Sequence, residues 1–454
     1  MEDVARGPTV PFWKVVILGI CAMEVGPNLA LAAGFQLHIS GRLSWLVISL
    51  AAGIAMLIAV AINVFARRFI ATGSILSYVR MALPPWAVCV TATCLLLGYI
   101  LGATSSVMGA ALYVSTIILQ LGFPGATSPL AIAAFMLIIS IAAGYFAYRG
   151  VDVSAKVALV LGLVCIPAAI GVTVAAALNS GFHLRDELTL RDTSWWELGR
   201  GIFVALGFFI GFDGISALAS ETDNPTRNVA RVFRWTLGLT AVTVAGGALL
   251  QTPILLANSA ALDAGVSPSS ILAKAAGISG LNIASDLLLL MATMAGLIAW
   301  LNFAALIVAT AGSDRFLPRA LADLHRVHKT PYKAVIFLSV IGWLIPVAFE
   351  VMAHTSVLSS IVYLSNMTVV FWLVPYALIC IAALLFMQRD GRILGAPSLA
   401  AAVGLIALIG VMATEAVSSA DSTSANMERL SLLLIVIGSL VFFFGGRASR
   451  PLKP

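Results

Sequence analysis

Blocks of apolar residues, most of them about 20 residues long and divided by short charged stretches, constrain this chain more than any other feature. A helix rising 1.5 Å per residue needs about 20 apolar residues to cross the hydrocarbon core of a bilayer. Twelve such blocks fall at 13–37, 43–65, 86–119, 129–147, 155–178, 200–220, 235–257, 284–310, 333–352, 357–386, 394–415 and 427–445. Only 10% of the 454 residues are charged and 61% are hydrophobic, whereas soluble domains carry about a quarter charged residues. The pattern predicts an all-α, polytopic membrane protein of about twelve transmembrane helices. The opening "MEDVARGPTVPFWK" is polar and the first apolar block is followed by many others, so no cleavable signal peptide is expected.

The net charge of +6 has a topological meaning. With the N-terminus placed in the cytoplasm, all Lys and Arg fall inside except Arg42, Arg185, Arg191, Arg200, Lys274 and Arg429. Positive residues concentrate on the cytoplasmic side of membrane proteins. Both termini are therefore expected in the cytoplasm, with the chain in the plasma or inner membrane, and the basic surplus does not point to nucleic acid. The expected organisation is a cytoplasmic N-terminus over 1–12, a first five-span unit over 13–178 and an extracytoplasmic loop over 179–199. A second five-span unit covers 200–386, two more spans 387–445, and a cytoplasmic C-terminus 446–454.

The loops leave no room for a soluble catalytic domain. The connection 258–283, "SAALDAGVSPSSILAKAAGI" within it, can hold a short interfacial helix, and 311–332 reads as a solvated cytoplasmic loop. Cys21, Cys89, Cys94, Cys165 and Cys380 lie in apolar segments without ligand spacing, which suits packing rather than metal binding or disulfides. No HExxH, GxSxG or histidine cluster appears; His38, His183, His325, His328 and His354 lie in loops or near span ends. Neither an enzyme nor a cofactor or metal is expected.

Two spans carry helix-breaking residues. Span one reads "VVILGICAMEVGPNLALAAGF", in which Pro27 lacks a backbone donor and Gly26 and Asn28 tolerate unusual backbone angles. Span six reads "GIFVALGFFIGFDGISALASE", with Gly207, Gly211 and Gly214. Each alone is compatible with an ordinary kink, because Gly and Pro are frequent in transmembrane helices. Spans one and six are, however, corresponding members of the two five-span units. Interruptions at matching places in two halves mark the binding site of transporters built from inverted repeats.

Acidic residues sharpen this reading. Lys14, Lys156, Glu221, Asp286, Glu350 and Glu415 sit near span ends, whereas Glu24 and Asp213 lie deep, one beside each break. An acid at mid-membrane costs roughly 2.5–3.5 kcal/mol on insertion scales and usually marks a pathway or proton relay. Each carboxyl can be protonated, can face a bound cation, or can serve structure alone by bonding a freed backbone carbonyl.

At these residues the chain resembles the amino acid–polyamine–organocation (APC) transporters, the amino acid permeases among them. "GFDGISALASETDNPTRNVARV", 211–232, is similar to the family's span-six signature. "ATAGSDRFLPRALADLHRVHKTPYKAV", 309–335, resembles its motif after span eight, and "RRFIATGSILSYV" and "YRGVDVSAKV" are weaker matches. The resemblance implies a LeuT-type fold of two inverted five-helix repeats with two added C-terminal helices. It also implies alternating access, most often proton-coupled, by symport or antiport, of an amino acid or organic amine.

Residue by residue, it places the substrate near Glu24, Gly26, Pro27, Asn28, Gly211, Asp213 and Gly214. Tyr99, Phe208, Phe212, Trp300, Asn302, Tyr363 and Asn366 are candidate aromatic or polar lining. Asp213 or Glu24 is the expected proton carrier, because span five lacks the lysine that serves some members. Glu221, Asp223, Arg227 and Asp314 can form a cytoplasmic ion-pair gate or be merely solvated. Pro27 removes one N–H from the run that holds a substrate carboxylate in many members; the Asn28 amide can replace it. The departure leans the reading towards cationic amines, polyamines or basic amino acids; a neutral amino acid permease or exchanger is the alternative. A non-transporting receptor of the same fold is a further one, disfavoured because only 446–454 follow the last span.

Overall fold

A computed structural model describes residues 11–447 apart from 70–73, 150, 182–186, 189–193, 215–224, 265, 279, 314–316, 329, 354–356, 392–394 and 419–421. The described residues form helices and connecting turns. Span one is two helices, α1 (Phe12–Ala22) and α2 (Val25–Gln36). Then follow α3 (Ser44–Ala66), α4 (Ser74–Ala82), α5 (Pro85–Gln120), α6 (Pro129–Tyr148) and α7 (Val151–Ser180). Span six opens with α8 (Trp195–Leu206), and α9 (Pro225–Ala257), α10 (Ser259–Asp263) and α11 (Pro268–Ala275) follow. The chain closes with α12 (Leu281–Ser313), α13 (Tyr332–Ala353), α14 (Val357–Arg389), α15 (Ala396–Ser418) and α16 (Ser422–Arg447).

Nine of these helices are long and apolar enough to cross a membrane among the described residues. Of the other three spans, span one is divided into α1 and α2, each too short to count by itself, part of span six lies outside the described residues, and α7, continuous over Val151–Ser180, counts only over Val164–Ser180. Large apolar side chains such as Leu130, Ile138, Val242 and Ile406 lie exposed, as expected where lipid rather than water is the solvent.

The long helix α5 packs against both α12 and α14 in the middle of the protein, and α3 packs against α9. Small residues let them approach. At Gly102 a Cβ would meet the Trp300 ring at 2.8 Å, and at Gly98 it would meet Trp372 Nε1 at 2.9 Å. α15 leans on α3, α8 and α14, and α16 on α5 and α14, so the last two spans flank the bundle. The 258–283 connection is not interfacial throughout. α11 buries Pro268–Ala273 against α12 and α7, because its Ser267 and Ser269 hydroxyls bond the carboxylate of Asp286 at 2.9 and 2.5 Å.

Candidate functional site

The break in span one follows from backbone bookkeeping. Met23 N–H bonds Gly19 O at 3.1 Å, and Asn28 N–H bonds Glu24 O at 2.8 Å. In a continuous helix residue 27 would donate to Met23 O, but proline has no N–H. That carbonyl instead accepts the side-chain amide of Asn28 at 2.7 Å. Glu24 bridges the two pieces in the left-handed conformation, φ 49 and ψ 42, the one non-glycine residue with positive φ among those described. Such a conformation costs roughly 1–2 kcal/mol for an L-residue, and strain of this kind clusters at functional positions.

Span six breaks differently. α8 starts in a capping box, with Ser194 Oγ accepting from Glu197 N–H and Glu197 Oε2 accepting from Ser194 N–H, both at 3.2 Å. It loosens into a 3-10 turn over Gly207–Phe209, an extended Ile210, a left-handed Gly211 at φ 88 and a second 3-10 turn over Phe212–Gly214. The freed Phe208 carbonyl accepts a second bond from the Asn28 amide at 3.3 Å. One side chain thus ties both breaks together, and Gln36 Nε2 adds a bond to Gly201 O at 2.9 Å.

Between the breaks lies a cavity of about 100 Å³ lined by residues of spans one, three, six, eight and ten, Glu24, Asn28, Ser105, Ser106, Phe208, Trp300 and Thr368 among them. Glu24 is half-buried at its wall. Its Oε1 accepts from Ser106 Oγ at 3.0 Å and from Trp300 Nε1 at 2.9 Å. Hydrogen bonds to a charged acceptor are stronger than neutral ones. Both fall on one oxygen, which leaves Oε2 for a ligand. Asn28 has spent its two amide protons on Met23 O and Phe208 O, so only its carbonyl oxygen is left to the cavity. Met23, Phe35, Val204 and Ile210 supply apolar walls, and the Phe35 and Phe208 rings pack at 6.1 Å.

Asp213 occupies a different place. It is buried and does not line this cavity. Tyr376 Oη donates to its Oδ1 at 3.3 Å. A chain of aromatic contacts connects the two acids: Trp300 to Tyr99 at 5.5 Å, Tyr99 to Trp372 at 5.0 Å, and Trp372 to Tyr376 at 5.7 Å. Tyr99 belongs to that chain rather than to the cavity wall, and Phe212 packs on Tyr376 at 5.2 Å.

The remaining expected residues scatter. Gly26 and Pro27 are buried in the first turn of α2, where a Cβ on Gly26 would lie 2.8 Å from Cys165 Sγ. Gly214 ends the described part of span six, and Asn302 is half-buried on α12 beyond the cavity lining. Tyr363 and Asn366 line a separate small pocket with Glu415 and Glu428. Arg227 is exposed at the start of α9, and Glu221, Asp223 and Asp314 lie outside the described residues. Sequence reasoning missed Ser105, Ser106, Ser365 and Thr368. Their signal was the polar cluster "TSS" at 104–106 and "SNMT" at 365–368, each inside an otherwise apolar span.

Comparison with known proteins agrees with this architecture. The family model "Amino acid permease" matches residues 11–442. The branched-chain amino acid permease BcaP of Bacillus subtilis is 27% identical over 155 residues, covering 32% of this chain and 33% of that protein. An uncharacterized transporter of Mycobacterium tuberculosis is 24% identical over 331 residues, 72% of this chain and 70% of its own length. Among solved structures, MhsT in complex with L-phenylalanine superposes with a TM-score of 0.58 at 15% identity, covering 87% of this chain and 97% of that one. A single-site mutant of the Eremococcus coleocola manganese transporter gives 0.60 at 13% identity, over 98% and 97%. At these identities the structures speak for the fold alone, which is the LeuT fold. Family and fold are those of membrane transporters, not enzymes, and the chain belongs to the amino acid permease family.

Proposed function

We propose that the protein is a secondary transporter that carries an amino acid or organic amine across the cytoplasmic membrane, binding the ammonium group at Glu24 between the broken spans one and six. The observation that carries this is the Glu24 carboxylate, held at the cavity wall by Ser106 and Trp300 with one oxygen free. An ammonium donates three hydrogen bonds and accepts none. Glu24 Oε2 and the Asn28 carbonyl oxygen offer acceptors only. A ligand carboxylate loses two donors at span one, since Pro27 has no N–H and the Asn28 amide is committed, and keeps the Ser105 and Ser365 hydroxyls. That imbalance supports amines and basic amino acids over neutral amino acids. With no ligand bound, Glu24 takes a proton in its place, which couples transport to the proton gradient. Both termini lie in the cytoplasm on this reading, and Phe208 with Phe35 forms the lid.

A second reading rests on the apolar wall of Met23, Phe35, Val204, Phe208 and Ile210 and on the branched-chain permease relative. There the substrate is a neutral apolar amino acid and Glu24 carries only the proton. On either reading Phe35 and Phe208, whose rings pack at 6.1 Å at the cavity wall, act as the lid.

The two readings separate in a thermal-shift screen of purified protein. A ligand that binds the folded state raises the melting temperature with its concentration. Cadaverine, putrescine and L-lysine are expected to stabilise the wild type and to lose that effect in Glu24→Gln. Stabilisation by L-leucine and L-isoleucine but by no amine would replace the first reading with the second.

A further inference from the structure

Three residues of α5 stand seven apart on one helical face: Ser106, Tyr113 and Gln120. Seven residues are nearly two turns, so they form a row with about 10.5 Å between members. The first and last each hold an acid. Ser106 donates to Glu24, and Gln120 Nε2 donates to Asp286 Oδ2 at 3.1 Å. The facing row on α12 runs from Asp286 through Leu289 and Thr293 to Gly296, against which the Glu24 carboxylate lies. Glu24 and Asp286 are therefore the two ends of one seam between α5 and α12, about 15 Å apart by the ten residues from 286 to 296.

Asp286 has no exposed surface. Its partners are Ser267, Ser269 and Gln120, and no Lys or Arg pairs with it among the described residues. This cage explains Asp286 as a tether for α11. It does not explain Tyr113, which sits between the acids with no exposed surface and a hydroxyl that has no hydrogen-bond partner. Tyr113 packs among Ala30, Cys165, Leu289 and Ala292. Phenylalanine would fill that space without the roughly 1–3 kcal/mol cost of an unsatisfied buried hydroxyl. Thr293 Oγ1, one turn from Gly296, is a second buried hydroxyl without a partner. The titratable groups about Tyr113 are Cys165 on α7, which packs against it, and the acids at the two ends of the seam, Asp286 on α12 and Glu24 at the α1–α2 turn. Lys274 on α11 is exposed.

We propose that Asp286 and Tyr113 form the proton-entry route to Glu24, running along the α5–α12 seam from the extracytoplasmic end of span eight. It rests on the reading that Glu24 binds the coupling proton. A proton arriving at the Asp286 carboxylate passes through water to the Tyr113 hydroxyl oxygen. Tyr113 releases its own hydroxyl proton through water, beside Thr293, to the Glu24 carboxylate. One O–H bond is lost at Asp286 and one formed at Glu24, and Tyr113 ends as it began. On this route the proton reaches Glu24 from the seam rather than through the substrate cavity, which Asp286 and Tyr113 do not line.

The test is a pH jump applied outside proteoliposomes, with external pyranine reporting proton uptake and no substrate present. The uptake phase missing in Glu24→Gln belongs to Glu24. In Tyr113→Phe that phase is expected to keep its amplitude and slow by tenfold or more, while the melting temperature stays level or rises. Asp286→Asn should slow the same phase; should it fail to fold, Tyr113→Phe decides alone. A Glu24 phase with a rate within twofold of wild type in Tyr113→Phe overturns the route and leaves the proton role of Glu24 standing. No missing phase in Glu24→Gln overturns that role and the route with it.

Discussion

Gly296→Ala tests the position of Glu24 without touching a charge. A Cβ at 296 would overlap Glu24 Oε1, Cδ and Cγ, the three nearest atoms to it. The Glu24 backbone is fixed in the span-one turn by Asn28 N–H on its carbonyl, so the side chain has to swing away. Swinging breaks the bonds from Ser106 and Trp300. Each hydrogen bond to a charged group contributes about 1.5–3 kcal/mol. Cavity water replaces part of that, leaving a loss of about 1.5–3 kcal/mol for the pair. Since every 1.4 kcal/mol is tenfold in affinity, binding of an ammonium ligand should weaken by about 10- to 100-fold. Titration of cadaverine or L-lysine against purified protein by thermal shift, and competed uptake in proteoliposomes, read this directly. Gly53→Ala is the control: Gly53 is exposed on α3 and its added Cβ meets nothing within 4 Å. Wild-type affinity in Gly296→Ala would refute the placement of the ligand at Glu24.

Other expectations follow from single contacts. Asn28→Ala orphans the carbonyls of Met23 and Phe208, which should destabilise the protein by about 2–4 kcal/mol from two lost bonds and their desolvation, read as a lowered melting temperature; an unchanged one would mean that water replaces the amide fully. Trp300→Phe keeps the ring contact with Tyr99 but removes the Nε1–H bond to Glu24, so ligand affinity should fall about tenfold, read by thermal-shift titration against the variant's own ligand-free melting temperature. Tyr376→Phe removes the hydroxyl that donates to Asp213. It should slow transport while leaving ligand binding at Glu24 within about twofold of wild type, because Asp213 stands outside the cavity; a large loss of binding would place Asp213 in the substrate site.

The positions of the helices and of both breaks were legible in the sequence because their causes are local. Twenty apolar residues satisfy their own backbone as a helix in lipid. A proline at 27 removes the donor for Met23 O whatever surrounds it, and three glycines between 207 and 214 make extended and left-handed conformations cheap. The depth of Glu24 and Asp213 was equally readable from their distance to the span ends. Asp286 was read as a span-end residue, and along the chain it is one. Its complete burial depends on α11 folding back over the start of α12, which no local pattern announces.

What the sequence alone determined about this protein is a bundle of membrane helices with two of them broken beside acids. Only the tertiary structure decided which groups those acids meet. The partners of Glu24 come from 82 and 276 residues away, and Tyr376, which donates to Asp213, from 163. The same packing put Glu24 at a cavity and Asp213 behind an aromatic chain, although both stand beside a break. It also spent both amide protons of Asn28 on backbone carbonyls, which leaves only its carbonyl oxygen to the cavity. The physical reason is one of range. A helix and its interruption are settled by hydrogen bonds over four residues, whereas a buried carboxyl is satisfied by whichever helices pack against it.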